Sequence, residues 1–111
     1  MSSKEFIIDP EEIKDLIKPM GYSIVSNMIS QDGLPVGFMY REEQFDEEDS
    51  GWRFLSGTEK EDYLDDEANG KAIGVNAVAN HDPAIIPYLK NASGTAWERI
   101  EKSDEFLPYS D

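Results

Sequence analysis

The sequence predicts an α+β fold: one small domain with a mostly antiparallel sheet, an N-terminal helix and short helices packed on it. Three observations predict it. Runs rich in strand formers at 22–29, 34–41 and 51–56 are each bounded by turn residues. Helix-start signatures lie outside those runs, at Asp9-Pro10, Thr58-Glu59-Lys60-Glu61 and Asp82-Pro83. The chain has 111 residues, of which 39% are hydrophobic and 11% aromatic. That is enough for one core and too apolar for a disordered acidic tail. Residues 1–111 are therefore read as a single domain, with 1–5 expected to be disordered.

Each element has a local reason. Asp9 suits the N-cap of a first helix, with Pro10 at its first position and Glu12 completing a capping box. Ile13, Leu16 and Ile17 then share one face, and Pro19 and Gly21 end the helix near Lys18. The strand candidates at 22–29 and 34–41 flank Gln31-Asp32-Gly33, a turn signal, and are expected to pair as a hairpin. Pro35 fits near the second strand's start or on an edge. Residues 42–50 read as a loop, and 51–56 as a third strand with Trp52 and Phe54 on one face. Thr58 and Glu61 form a second capping box, opening a short helix to about Leu64, with an acidic turn over 65–70. Residues 73–75 suit a short strand, and 75–80 fit either a helical turn or an extended segment. Asp82-Pro83 starts a short helix over 83–90 that Pro87 limits or kinks. Gly94 breaks the chain, 95–100 suit a last strand, and 106–109 can pack back on the body.

Charge narrows the partners. There are 24 Asp plus Glu against 10 Lys plus Arg, a formal net charge of -14. Such a field repels nucleic acid and anionic lipid and attracts basic partners, although plain solubility explains it equally well. No nucleic-acid or membrane partner is expected. Cysteine is absent, which removes disulfides, thiolate metal sites and a cysteine nucleophile, and favours the cytoplasm. Phe6-Ile7-Ile8 is too short for a signal-peptide core, and no later run approaches a membrane span.

The catalytic and metal signatures the sequence brushes against are each incomplete. Asp65, Glu67, Asn69 and Gly70 fall at the first, third, fifth and sixth positions of a calcium loop, but Asn76 stands where its bidentate Glu belongs. A loop starting at Asp46 fails likewise at Gly57. Both read as solvated turns. His81 is the one histidine, and no serine sits in a nucleophile elbow. His81 reads as a loop residue making a backbone hydrogen bond. Gly33, Gly37, Gly51 and Gly57 are isolated, so no phosphate-cradling loop is present, and RNA-recognition and zinc-finger patterns are missing too. No catalytic residue, metal ligand or cofactor is assigned. Trp52 and Trp97 are read first as core residues; the alternative is an interface anchor, for which Trp52 is the better candidate because it follows the acidic loop.

Two blocks carry a resemblance. The segment 36–43 leads through the acidic loop into Asp49-Ser50-Gly51-Trp52-Arg53-Phe54-Leu55-Ser56-Gly57-Thr58-Glu59. Tyr63-Leu64-Asp65-Asp66 follows, then Asn80-His81-Asp82-Pro83-Ala84-Ile85-Ile86-Pro87-Tyr88-Leu89. In this order the chain, from about 23 to 106, resembles the bacterial domain-of-unknown-function family twenty-one eighty-five. That family is grouped with immunity protein family thirty-three of polymorphic toxin systems. The resemblance implies an α+β domain in a bacterial cytosol and, for some members, neutralisation of a toxin. It supplies no catalytic residues. His81 stands where an aromatic is common, and the helix expected over 9–18 extends the family core.

The reading that results is an immunity-type protein that binds a basic partner such as a toxin. Glu42, Glu43, Asp46, Glu47, Glu48 and Asp49 are the steering candidates, with Trp52 as anchor, and Arg41 is expected to be structural, pairing with a carboxylate. A cytosolic ligand- or peptide-binding accessory domain is the first alternative, marked by a dry cleft or a free sheet edge. A small hydrolase is the second, marked by two close buried carboxylates in a deep pocket. Oligomeric state is left open by the sequence.

Overall fold

Side chains alternate along a strand, so pairing decides which face of a sheet is dry. In the computed structural model, which describes residues 13–109, six strands form one sheet. They are β1 (Tyr22–Ser26), β2 (Phe38–Arg41), β3 (Asp49–Leu55), β4 (Gly70–Gly74), β5 (Ala96–Arg99) and β6 (Phe106–Pro108), in the order β4-β1-β3-β2-β5-β6. β1 and β3 run parallel, and the other neighbouring pairs are antiparallel. The α+β class and the mostly antiparallel sheet hold. Three short α-helices accompany it, α1 (Asn27–Ser30), α2 (Glu61–Leu64) and α3 (Val75–His81), with 3₁₀ segments at Glu67–Asn69 and Pro83–Tyr88.

One face of the sheet is covered. Val25, Met39, Trp52 and Phe54 meet Ile29 of α1, Val75, Val78 and Ala79 of α3, and Ile85 and Leu89. Each large side chain buried this way is worth about 1.5–3 kcal/mol. Trp52 and Phe54 lie on the same face as expected, stacked with ring centroids 6.0 Å apart. Their strand neighbours Arg53 and Leu55, with Ile24, Phe38 and Tyr40, point to the opposite face, which is partly open.

Several local expectations change, each for an identifiable reason. Residues 13–18 form no helix. Asn76 and Asn80 of α3 take up their backbone instead: Lys14 N–H donates to Asn80 Oδ1 at 2.9 Å, Leu16 N–H donates to Asn76 Oδ1 at 2.9 Å, and both asparagine amides donate to the Lys14 carbonyl at 2.8 Å. The helix start at Asp9 to Glu12, like residues 1–5, lies outside the described residues. The hairpin between the first two strand candidates does not form, because β3 lies between β1 and β2. Ser26 ends β1 by capping α1, its hydroxyl accepting from Met28 N–H at 3.2 Å, and helical geometry buries Ile29 completely. Gln31-Asp32-Gly33 closes that helix, with Gly33 N–H donating to the Ile29 carbonyl at 3.1 Å.

The capping box at Thr58 is also displaced. Lys60 is the N-cap of α2 and makes no side-chain cap. Glu59 folds back instead and accepts from Ser56 N–H at 2.8 Å and Gly57 N–H at 3.0 Å, closing the turn after β3. Residues 75–80 resolve as helix, with Val75, Val78 and Ala79 at helical spacing in the core. Asp82 caps the segment Pro83–Tyr88, accepting from Ala84 N–H at 3.3 Å, but that segment is 3₁₀, with Pro87 inside it. Among the described residues no helix is long and apolar enough to cross a membrane.

Candidate functional site

The acidic loop leaves β2 at Arg41 and returns in β3 at Asp49, and its ends are clasped by Glu42 N–H donating to the Gly51 carbonyl at 2.8 Å. What shapes it is a bulge in β3. Tyr22 and Ile24 of β1, two residues apart, face Asp49 and Arg53, four residues apart. The surplus residues bend the strand and bring the Asp49 carboxylate back onto the Arg53 guanidinium. Gly51 makes the bend possible: its φ is +88°, and a Cβ there would lie 2.3 Å from the Glu42 carbonyl oxygen.

Asp49 is 1% exposed and every lone-pair direction is used. Its Oδ1 accepts from Gly51 N–H at 2.9 Å and Arg53 Nη1 at 3.0 Å; its Oδ2 accepts from Phe45 N–H at 2.8 Å and Arg53 Nη2 at 2.9 Å. This is the fork geometry that makes arginine–carboxylate pairs strong. The Arg53 hydrogen bonds hold the Asp49 carboxyl well below the usual carboxylate range, against the opposite push of burial. Asp49 in turn raises the Arg53 guanidinium, with a further bond from Arg53 Nε to Glu42 Oε2 at 2.8 Å. The pair is ionised at any ordinary pH.

Around this strut the loop is ordered by its own groups. The Gln44 amide donates to the Asp46 and Asp49 carbonyls, Glu48 N–H to Asp46 Oδ1, and the Tyr22 hydroxyl to Asp46 Oδ2 at 3.2 Å. The outcome is a fixed platform bearing exposed Glu42, Glu43, Asp46, Glu47 and Glu48 around Phe45, which is 84% exposed. Phe45 is the residue sequence reasoning missed. Its signal was present: a lone aromatic within a run of carboxylates, with no alternating partner to carry it into the core.

Two of the seven expected contact residues are placed elsewhere. Trp52 is 0% exposed, and its Nε1–H donates to the Leu89 carbonyl at 3.1 Å. It is a core residue here, because the bulge turns it onto the covered face, and Asp49 is a buried strut. Arg41 is structural as expected, but its partners are the carbonyls of Ser50, Leu89 and Asn91, with its guanidinium 5.6 Å from the Trp52 ring centroid. The arginine that pairs with the loop's carboxylates is Arg53.

The second sequence block is a matching strut. Asp82 is buried; its Oδ2 accepts from Val36 N–H at 2.9 Å and Arg99 Nη1 at 2.6 Å. The Tyr88 hydroxyl accepts from Phe106 N–H at 2.9 Å. The two blocks meet where Trp52 and Arg41 both donate to the Leu89 carbonyl. Asp49 and Asp82 are thus held by different arginines and share no site. His81 Nε2 lies 3.0 Å from the Leu34 carbonyl, the type of backbone bond expected of it. In the 65–70 turn, Asp66 accepts from Ala68 N–H and the Asn69 amide donates to Tyr63. Among the described residues no three acidic or histidine side chains converge to hold a cation.

Beside the loop, the open face of the sheet carries a groove of about 710 Å³ lined by Phe38, Tyr40, Thr95 and Tyr109, with Glu42 and Glu43 also contributing. Phe38 and Tyr109 meet edge to face, their centroids 5.2 Å apart.

A family model described as the immunity protein Imm33 domain matches residues 23–109. No curated protein and no solved structure matches the chain. The matched span covers both buried struts and the acidic loop.

Proposed function

The chain belongs to the Imm33 immunity protein family, and from that premise we propose that it binds a toxin in the cytoplasm and neutralises it by occupying its working surface, without catalysis. The observation that carries this reading is the hydrogen-bonded acidic platform. Its exposed carboxylates Glu42, Glu43, Asp46, Glu47 and Glu48 supply a field that draws in a basic surface and speeds encounter. Phe45 supplies the apolar anchor that such interfaces concentrate their energy in. Because the loop is already held by Asp49 and Gln44, little ordering remains to oppose binding, a cost that otherwise runs to about 0.5–1.5 kcal/mol per immobilised side chain. Asp49 and Trp52 contribute as the frame behind the platform.

The test is co-expression with toxin candidates encoded beside the gene, read as growth, followed by association kinetics on the pair. The wild-type chain should restore growth. E43K/E47K/E48K should bind more slowly, and the difference should fade as salt rises. Protection by a chain whose association ignores both the charge reversal and salt would remove the platform from the mechanism.

A further inference from the structure

We propose that the partner interface extends from the loop onto the open face of the sheet, where the Phe38–Tyr109 pair seats cationic side chains of a basic protein loop. This rests on the immunity reading for the identity of the partner. Strand alternation leaves Ile24, Phe38, Tyr40 and Leu55 on the face opposite the core. Arg53 lies between Tyr40 and Ile24 across the strands, so the apolar part of this face that meets the groove is the ring cluster Phe38, Tyr40 and Tyr109, and partly open rings of this kind on a small acidic protein suit an interaction surface.

The rings are held in place. Tyr109 N–H donates to the Ala96 carbonyl at 2.8 Å, which fixes Tyr109 beside Phe38, and Tyr40 lies 6.1 Å from Phe38 on the other side. Depressions flank the Phe38–Tyr109 pair. The larger groove has Glu42 and Glu43 in its lining; a smaller one of about 240 Å³ has Glu59 and Glu98. Aromatic faces with carboxylates on either side are the surroundings an arginine or lysine side chain prefers, through its charge and through the ring quadrupole. The larger groove also has Arg41 in its lining, but the Arg41 guanidinium is committed to the carbonyls of Ser50, Leu89 and Asn91, and Arg53 beside it to Asp49 and Glu42. The net charge of -14 disfavours an anionic occupant and favours a basic one. Glu42 and Glu43 belong to both the platform and the groove, so one partner can engage the two together.

The experiment is an NMR titration of the ¹⁵N-labelled full chain with a blocked Arg-Gly-Arg peptide, and in parallel with its neutral citrulline counterpart. Saturable shifts are expected at the amides of Phe38, Tyr40, Ala96, Glu98 and Tyr109 with the arginine peptide only. Tyr109→Ala removes a side chain 44% exposed and should weaken binding roughly fivefold, the worth of one cation–π contact. Glu43→Gln should weaken it without touching either ring. Shifts confined to 42–48, binding unchanged by Tyr109→Ala, or no saturable shift at millimolar peptide would each overturn the proposal. Because no toxin takes part, a failed titration alongside growth protection sinks the groove and keeps the immunity reading. A positive titration without protection does the reverse.

Discussion

The acidic loop at 42–48 and the start of β3 just after it are built from the same residue types in opposite surroundings. Phe45 is 84% exposed while Phe54 is in the core, and Asp46 faces water while Asp49 is buried. Composition does not separate them. What separates them is the bulge at Gly51, which sends Trp52 and Phe54 to the covered face and turns Asp49 inward to Arg53. A run of carboxylates that reads as uniform is therefore one strut and a set of surface charges. The strut gives the surface charges a fixed geometry.

Substitutions on the two sides of that boundary should behave differently, and unfolding in urea measures the difference. Gly51→Val should cost the most. It combines a positive φ, worth about 1–2 kcal/mol, with a Cβ in the Glu42 carbonyl, worth about 1–3 kcal/mol. A midpoint equal to wild type would mean the bulge can relax and the boundary is soft. Asp49→Asn should cost about 3 kcal/mol, because it breaks a buried pair and leaves the Arg53 guanidinium with only the exposed Glu42 as a charged partner. It should also speed hydrogen exchange at the Phe45 amide, which loses its acceptor.

The pH dependence of Asp49→Asn sharpens the comparison. In the unfolded chain Asp49 titrates near 3.9, and in the fold Arg53 holds it lower. The folded state therefore binds the proton less readily, and the stability from this carboxylate is complete above about pH 4 and is lost as pH falls through the folded value. The gap between wild type and Asp49→Asn should be constant near neutrality and shrink below about pH 4. A constant gap down to pH 2 would show that Asp49 is not the ionised strut.

On the water side, E43K/E47K/E48K, which spares the Asp46 bonds to Tyr22 and Glu48, should move stability by less than about 0.5 kcal/mol, with its effect confined to the rate of meeting a basic partner. Phe45→Ala should change stability least, because its ring touches solvent, while weakening a cognate complex by about 2 kcal/mol. If Phe45→Ala unfolded the chain at lower urea, the ring would belong to the frame.

What the sequence showed depended on range. β3 and the shared face of Trp52 and Phe54 were legible because alternation is local. The hairpin was misread because Ser26 and Asn27 start a helix inside a run of strand formers, and helical spacing buries Ile29 just as well. The first helix was expected from its own periodicity, yet over 13–18 the backbone bonds to Asn76 and Asn80, some sixty residues away. Glu59, one residue past Thr58, outcompeted the capping box by reaching the backbone of Ser56 and Gly57. The platform's carboxylates were visible as a run, but nothing local marked Asp49 as the buried one. The groove was invisible, since Phe38, Tyr40 and Tyr109 come from strands that only the fold makes adjacent.

The clasp between Glu42 and Gly51 has a consequence for how this chain could change its target. A loop held at both ends by backbone bonds tolerates new side chains and added length, since doubling a loop costs only about 0.6 kcal/mol in closure entropy. Within 43–48 the side chains free of such roles, Glu43, Phe45, Glu47 and Glu48, can thus be exchanged while Gln44, Asp46, Asp49, Gly51 and Arg53 keep the frame. Basic or neutral side chains at those four positions would change what the surface attracts while the bonds that hold the loop remain.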